Sequence, residues 1–97
     1  MKAVFISYNQ ALTDRVDAVL SHEAVRGYTK WDTTHGRGSY TGEPHLGTHT
    51  WPAMNSSILT IIDDDKVAPL LTALRALDHE TERQGLRAFV WGVEEGL

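Results

Sequence analysis

Four side chains between positions 35 and 49 are of the kinds that hold a metal ion: His35, Glu43, His45 and His49. Neutral imidazole is a common nitrogen ligand for zinc, copper and nickel, and a carboxylate can complete such a set. The group predicts a divalent transition metal (zinc, copper or nickel) as cofactor. His45 and His49 share a side only if the chain turns helically between them, and Gly47 opposes that turn. Solvated loop histidines are the alternative, since the chain has no cysteine to complete a tighter site. Ligands contributed by neighbouring subunits to a shared cleft are a third arrangement.

The same stretch carries a second chemistry. Gly36, Arg37, Gly38, Ser39 and Thr41 are followed by a further glycine, Gly42. Glycine lets backbone amides approach an anion closely, and arginine can hold one with two parallel hydrogen bonds. These residues predict a small anionic ligand such as bicarbonate or a phosphate; glycines that only make turns are the alternative. Catalysis needs a nucleophile with a positioned base, or two carboxylates with separated pKa values. Ser39 with His35, or Ser56 with His49, can be paired on paper, but a long loop is a poor support for hydrogen-bonded catalytic groups. The expectation is therefore a non-enzyme, with a small His-dependent enzyme or a direct metal-binding tolerance protein as the alternative.

All these residues lie in "HGRGSYTGEPHLGTHTWP", positions 35 to 52, between two strand-like stretches. Ordering backbone costs about 1–2 kcal/mol per residue, so a loop this long in a small domain needs a use. "KAVFISY" (2–8) is β-branched and aromatic and reads as a strand. Leu12, Val16, Val19 and Leu20 then recur at helical spacing, with Thr13 as the expected N-cap and Gly27 as the terminating left-handed or turn residue. "YTKWDTT" (28–34) alternates large and polar side chains as a strand does.

Beyond the loop, "SSILTIID" (56–63) is the most β-like run and predicts a central strand covered on both faces. Val67, Leu70, Leu71, Leu74 and Leu77 form the apolar stripe of a second helix. Acidic Asp63 to Asp65 favour its N-terminus, and Pro69 places the start near Asp65 or Lys66. "LRAFVWGV" (86–93) is the last strand. Tyr8 and Tyr28 read as packing residues with hydrated hydroxyls.

That order predicts an α+β, ferredoxin-like βαββαβ sandwich: one domain, residues 1–97, with the long loop between strands 2 and 3. Both helices cover one face of the sheet. The other face carries Trp31, Leu59, Ile61, Phe89 and Trp91, an apolar surface that predicts assembly of identical subunits. A net charge of −4 and the absence of Lys/Arg clusters exclude nucleic acid as the expected partner. No signal-like N-terminus and no membrane-length apolar run is present, so a cytoplasmic protein that does not itself span a membrane is expected.

The stretch from Gly27 through the second helix resembles the PII-like signalling superfamily, which includes nitrogen regulatory PII proteins and is related in architecture to CutA-type proteins. Gly27 stands where PII proteins end their first helix. Gly36, Arg37 and Gly38 match the Gly-Arg entry to the long loop, and Asp63 to Asp65 match the acidic start of the second helix. The resemblance implies a homotrimer with ligand sites in the clefts between subunits. It also implies that the loop reaches a partner such as a membrane transporter or an enzyme. One departure stands out. Where PII proteins carry a Gly- and Lys-rich phosphate loop, this chain has "DHETERQG", with Asp78, Glu80 and Glu82 and only Arg83 and Arg87 as cations, which argues against tight ATP binding.

Overall fold

Alternation along the first strand sets up the whole molecule. In β1 (Lys2–Asn9), Val4, Ile6 and Tyr8 are fully buried on one face, while Phe5 and Ser7 on the other are only half-buried. The computed structural model describes residues 1–37, 44–45, 54–81 and 84–97. After β1 comes a 3₁₀ turn (Gln10–Leu12), then α1 (Thr13–His22), β2 (Thr29–Thr34), and two short strands, β3 (Gly36–Arg37) and β4 (Pro44–His45). The chain continues through β5 (Asn55–Ile62), α2 (Asp64–Glu80) and β6 (Arg87–Gly92).

Four strands form one antiparallel sheet in the order β2-β5-β1-β6, while β3 and β4 pair with each other in a separate ladder. This is the ferredoxin-like arrangement the sequence predicts. β5 is internal, hydrogen-bonded to β1 on one side and β2 on the other. Its Ile58, Thr60 and Ile62 lie beside Ile6, Val4 and Lys2 and are buried beneath the helices, but Ile61 on the opposite face is 45% exposed. On that second face Ser57 is buried and Leu59 half-buried, so within a single chain the expected cover on both faces of this strand fails at Ile61.

The core joins Val4, Ile6, Tyr8, Ile58 and Ile62 of the sheet to Leu12, Val16 and Leu20 of the first helical segment and Leu70, Leu74 and Leu77 of α2. Burying a side chain of this size contributes about 1.5–3 kcal/mol, so these few residues carry most of the drive to fold. Their spacing on each helix is the 3–4-residue period that puts one stripe against the sheet.

Local starts and stops differ from the sequence expectation in instructive ways. Thr13 is not an N-cap: its hydroxyl donates to the Gln10 carbonyl (2.7 Å) inside the 3₁₀ turn. Asn9 is the capping residue instead, its Oδ1 accepting from the Ala11 amide at 2.9 Å. At the other end of α1 the left-handed position is Ala24 (φ 58°), not Gly27. Gly27 instead offers its carbonyl to the Thr60 hydroxyl at 2.6 Å, tying the α1–β2 connection to β5. α2 begins at Asp64, ahead of the expected Asp65 or Lys66, so Pro69 lies inside the helix and removes one rung near its start. The bounds of β2, β5 and β6 move by a residue from those expected, and Tyr28 falls outside β2.

Candidate functional site

The uncovered sheet face is organised by register. Leu59, Phe5 and Phe89 lie in one row across β5, β1 and β6, and Ile61, Ala3 and Trp91 in the next. Beside them a polar row runs from Trp31 through Ser57 and Ser7 to Arg87. Phe89 is 61% exposed, Trp91 50% and Trp31 45%. Phe89 and Trp91 on β6 and Trp31 on β2 thus stand exposed on the same face, apolar groups of the kind that mark an interaction surface.

The polar row adjoins the feet of the 35–52 excursion. β2 pairs with β5 through Trp31↔Ser57 and then Thr34↔Asn55, so Asp32 and Thr33 together oppose Ser56 alone. This is a β-bulge, which bends and twists the strand just before the chain departs. The Asp32 carbonyl accepts from the Ser56 hydroxyl (2.7 Å) and from Gln10 Nε2 (2.6 Å). Thr34 and Ser57 exchange a hydroxyl–hydroxyl bond at 2.9 Å. Gly36 stands so close to Asn55 that a β-carbon there lies 3.1 Å from Nδ2, a contact tight enough that Asn55 must give way to any larger residue.

Of the predicted site residues, His35 is exposed between β2 and β3. Gly36 pairs with His45, and Arg37 with Pro44, across the small β3–β4 ladder. The backbone therefore brings His45 opposite Gly36, one residue from His35. Gly38, Ser39, Thr41, Glu43 and His49 lie outside the described residues. Among the described residues no three His, Asp or Glu side chains are grouped to hold a metal. Ser56, paired on paper with His49 as a catalytic hydroxyl, is buried and spends its proton on the Asp32 carbonyl.

Of the acidic run the sequence places after the second helix, Asp78 and Glu80 lie in the last turn of α2 itself, with their charge partly engaged, while Glu82 and Arg83 lie outside the described residues. Glu80 makes an ion pair with Arg15 of α1, and Asp78 lies 4.0 Å from Arg87. Gly85 in the turn that follows has φ 79°, a conformation that favours glycine. At the far end of β5 from the excursion, a cleft of about 160 Å³ is lined by Gly27, Ile61, Asp63 and Lys66, with Lys66 Nζ donating to the Ala24 carbonyl at 3.0 Å.

Two features here are missed by sequence reasoning. Gln10, Asn55 and Ser56 shape the feet of the excursion; their only sequence signal is a polar break, Asn9–Gln10, and the polar start of an otherwise apolar strand. The sequence predicts a hydrated hydroxyl for Tyr8, but that hydroxyl is buried, with the Ser56 and Thr13 hydroxyls beside it and no well-formed bond to either, and Asp17 Oδ1 is likewise buried without a partner among the described residues. Burial pushes the Tyr8 phenol above its ordinary value of 10.0, with the Lys30 charge working against that shift and Asp17 adding to it. Burial works to lower the pKa of Lys30, but Tyr8 and Asp17 outweigh it and the net shift is upward. Lys30 Nζ sits 3.4 Å from Asp17 Oδ2, linking β2 to α1 beneath the sheet.

No protein-family model matches the chain, and no curated protein sequence does. Solved structures do match. CPII from Thiomonas intermedia K12, a nitrogen regulatory PII-like protein solved with ADP, AMP and bicarbonate, superposes with a TM-score of 0.74 at 21% identity over 93% of this chain and 82% of that one. Its apo form matches with a TM-score of 0.71 at 19% identity, covering 93% and 85%. A PII-like signalling protein from Thermus thermophilus matches with a TM-score of 0.66 at 23% identity, covering 95% and 85%. With about one residue in five identical, what the chains share is the arrangement of strands and helices just described, and by that arrangement this protein has the fold of those PII-like proteins.

Proposed function

We propose that this protein is a homotrimeric regulator that senses a small ligand at the clefts between subunits and, through residues 35–52, controls a partner such as a transporter or an enzyme. The observation that carries this reading is the apolar sheet face, with Phe89, Trp91, Trp31 and Ile61 exposed, lying beside the feet of the excursion. Covering that face with sister copies brings one subunit's excursion next to another subunit's body.

A small anion, bicarbonate first, is the proposed ligand, held by Arg37 with the amides of Gly36 and Gly38 and the hydroxyls of Ser39 and Thr41. The likeness to a PII-like protein solved with bicarbonate supports this choice. A divalent transition metal on His35, Glu43, His45 and His49 is the second candidate ligand. Tight ATP binding is not expected, because Asp78 and Glu80 place negative charge where phosphates would sit and are themselves set against Arg87 and Arg15. Calorimetric titration with bicarbonate tests the reading, with ADP and ATP as comparisons. Bicarbonate heat that disappears in Arg37→Ala supports it; no heat from bicarbonate in the wild-type trimer overturns the choice of ligand, and nanomolar ATP affinity overturns the account of the acidic segment.

A further inference from the structure

We propose that Gln10 is a positioning residue that fastens both feet of the 35–52 excursion, so that the β1–α1 junction sets the direction in which the excursion leaves the sheet. Its backbone amide donates to the Met54 carbonyl at 2.8 Å, where the chain returns into β5. Its side-chain Nε2 donates to the Asp32 carbonyl at 2.6 Å and reaches the Thr33 hydroxyl at 3.2 Å, where the chain departs from β2. One residue thus touches the outgoing and the returning strand.

Gln10 is itself held in place. The Asn9 cap and the Thr13 hydroxyl, which donates to the Gln10 carbonyl, fix the 3₁₀ turn that presents it. The bulge explains why an amide is needed. With Asp32 and Thr33 opposing Ser56 alone, the ladder is interrupted, and the Asp32 carbonyl is taken up by two side chains, Gln10 and Ser56. Removing the Gln10 side chain withdraws one of these donors and frees the departing foot, while the backbone bond to Met54 keeps the returning foot attached. By linkage, a ligand that redirects the excursion works against these bonds, and the strength of the clamp enters its affinity.

The clamp gives a regulatory part to the excursion proposed above as the ligand-responsive segment, but its test does not depend on any ligand. Amide hydrogen exchange is measured on the full chain for wild type, Gln10→Ala and Gln10→Glu. The glutamate keeps the shape of glutamine but cannot donate to a carbonyl at neutral pH. Both variants are expected to exchange about tenfold faster at residues 33–37 and at His45, as the loss of one or two good hydrogen bonds implies. Amides at the centre of the sheet, such as Val4, Ile6 and Ile58, are expected to change by less than about twofold. Unchanged exchange at the feet, or an equal rise throughout the sheet, overturns the inference. Absence of bicarbonate binding by wild type overturns the ligand reading alone.

Discussion

Replacing Phe89 by aspartate attacks the assembly without touching the core. The side chain projects from β6 on the face away from the helices, opposite Phe5, and is 61% exposed in a single chain. A phenylalanine offers about 200 Å² of surface, so about 120 Å² remains to be buried by a sister subunit, or about 3 kcal/mol per copy at ~25 cal/mol per Å². Loss of that contribution alone lowers the association constant by about a hundredfold for each copy. An aspartate placed in the same interface adds the cost of drying a carboxylate that has no partner there. Within the single chain the position faces water, where aspartate is tolerated. Light scattering across a concentration series is the assay. Wild type is expected near 32 kDa, about three times the 10.8 kDa chain, and Phe89→Asp near the single-chain mass with its secondary structure retained. A wild-type protein that is monomeric at high micromolar concentration, or a variant that keeps the wild-type mass, refutes the reasoning and with it the intersubunit ligand site.

Removing the buried hydroxyl by Tyr8→Phe is expected to change stability at pH 7 by less than about 1 kcal/mol, because no hydrogen bond to a described residue is lost with it. A larger loss in a denaturant titration shows that the hydroxyl is satisfied in solution. The pKa values of Tyr8 and Lys30 are both raised by folding, so their contribution is complete below the ordinary values of 10.0 and 10.5 and disappears as pH rises through the folded values. Wild type should therefore lose stability as pH rises above 10.0, and Tyr8→Phe should lose less; parallel curves for the two proteins contradict the assignment. A metal held by His35, Glu43, His45 and His49 is tested with zinc, copper and nickel in a calorimeter. Heat that disappears in His45→Ala supports the set, and equal heat in both proteins retires it.

Periodicity alone was enough to place the main elements of the fold. The alternation of Val4, Ile6 and Tyr8, the helical stripes of Leu12–Leu20 and Leu70–Leu77, and the β-branched run 58–62 each declare a local geometry through which face is apolar. Their order left few topologies, and the observed strand order is the one expected. The surplus of aromatics over what one helical layer can cover was also visible in the sequence, as Trp31, Phe89 and Trp91. Contacts between residues far apart in the chain were not visible. That Gln10 reaches both Asp32 and Met54, that Asn55 presses on Gly36, and that the Tyr8 hydroxyl is sealed beside Lys30 and Asp17 all depend on a bulge and a register. A shift of one residue in pairing turns every side chain to the opposite face, and local composition does not encode that count. Residue types and spacing thus determine which faces are buried, while the placement of the polar groups at the feet of the excursion is decided only when the strands meet.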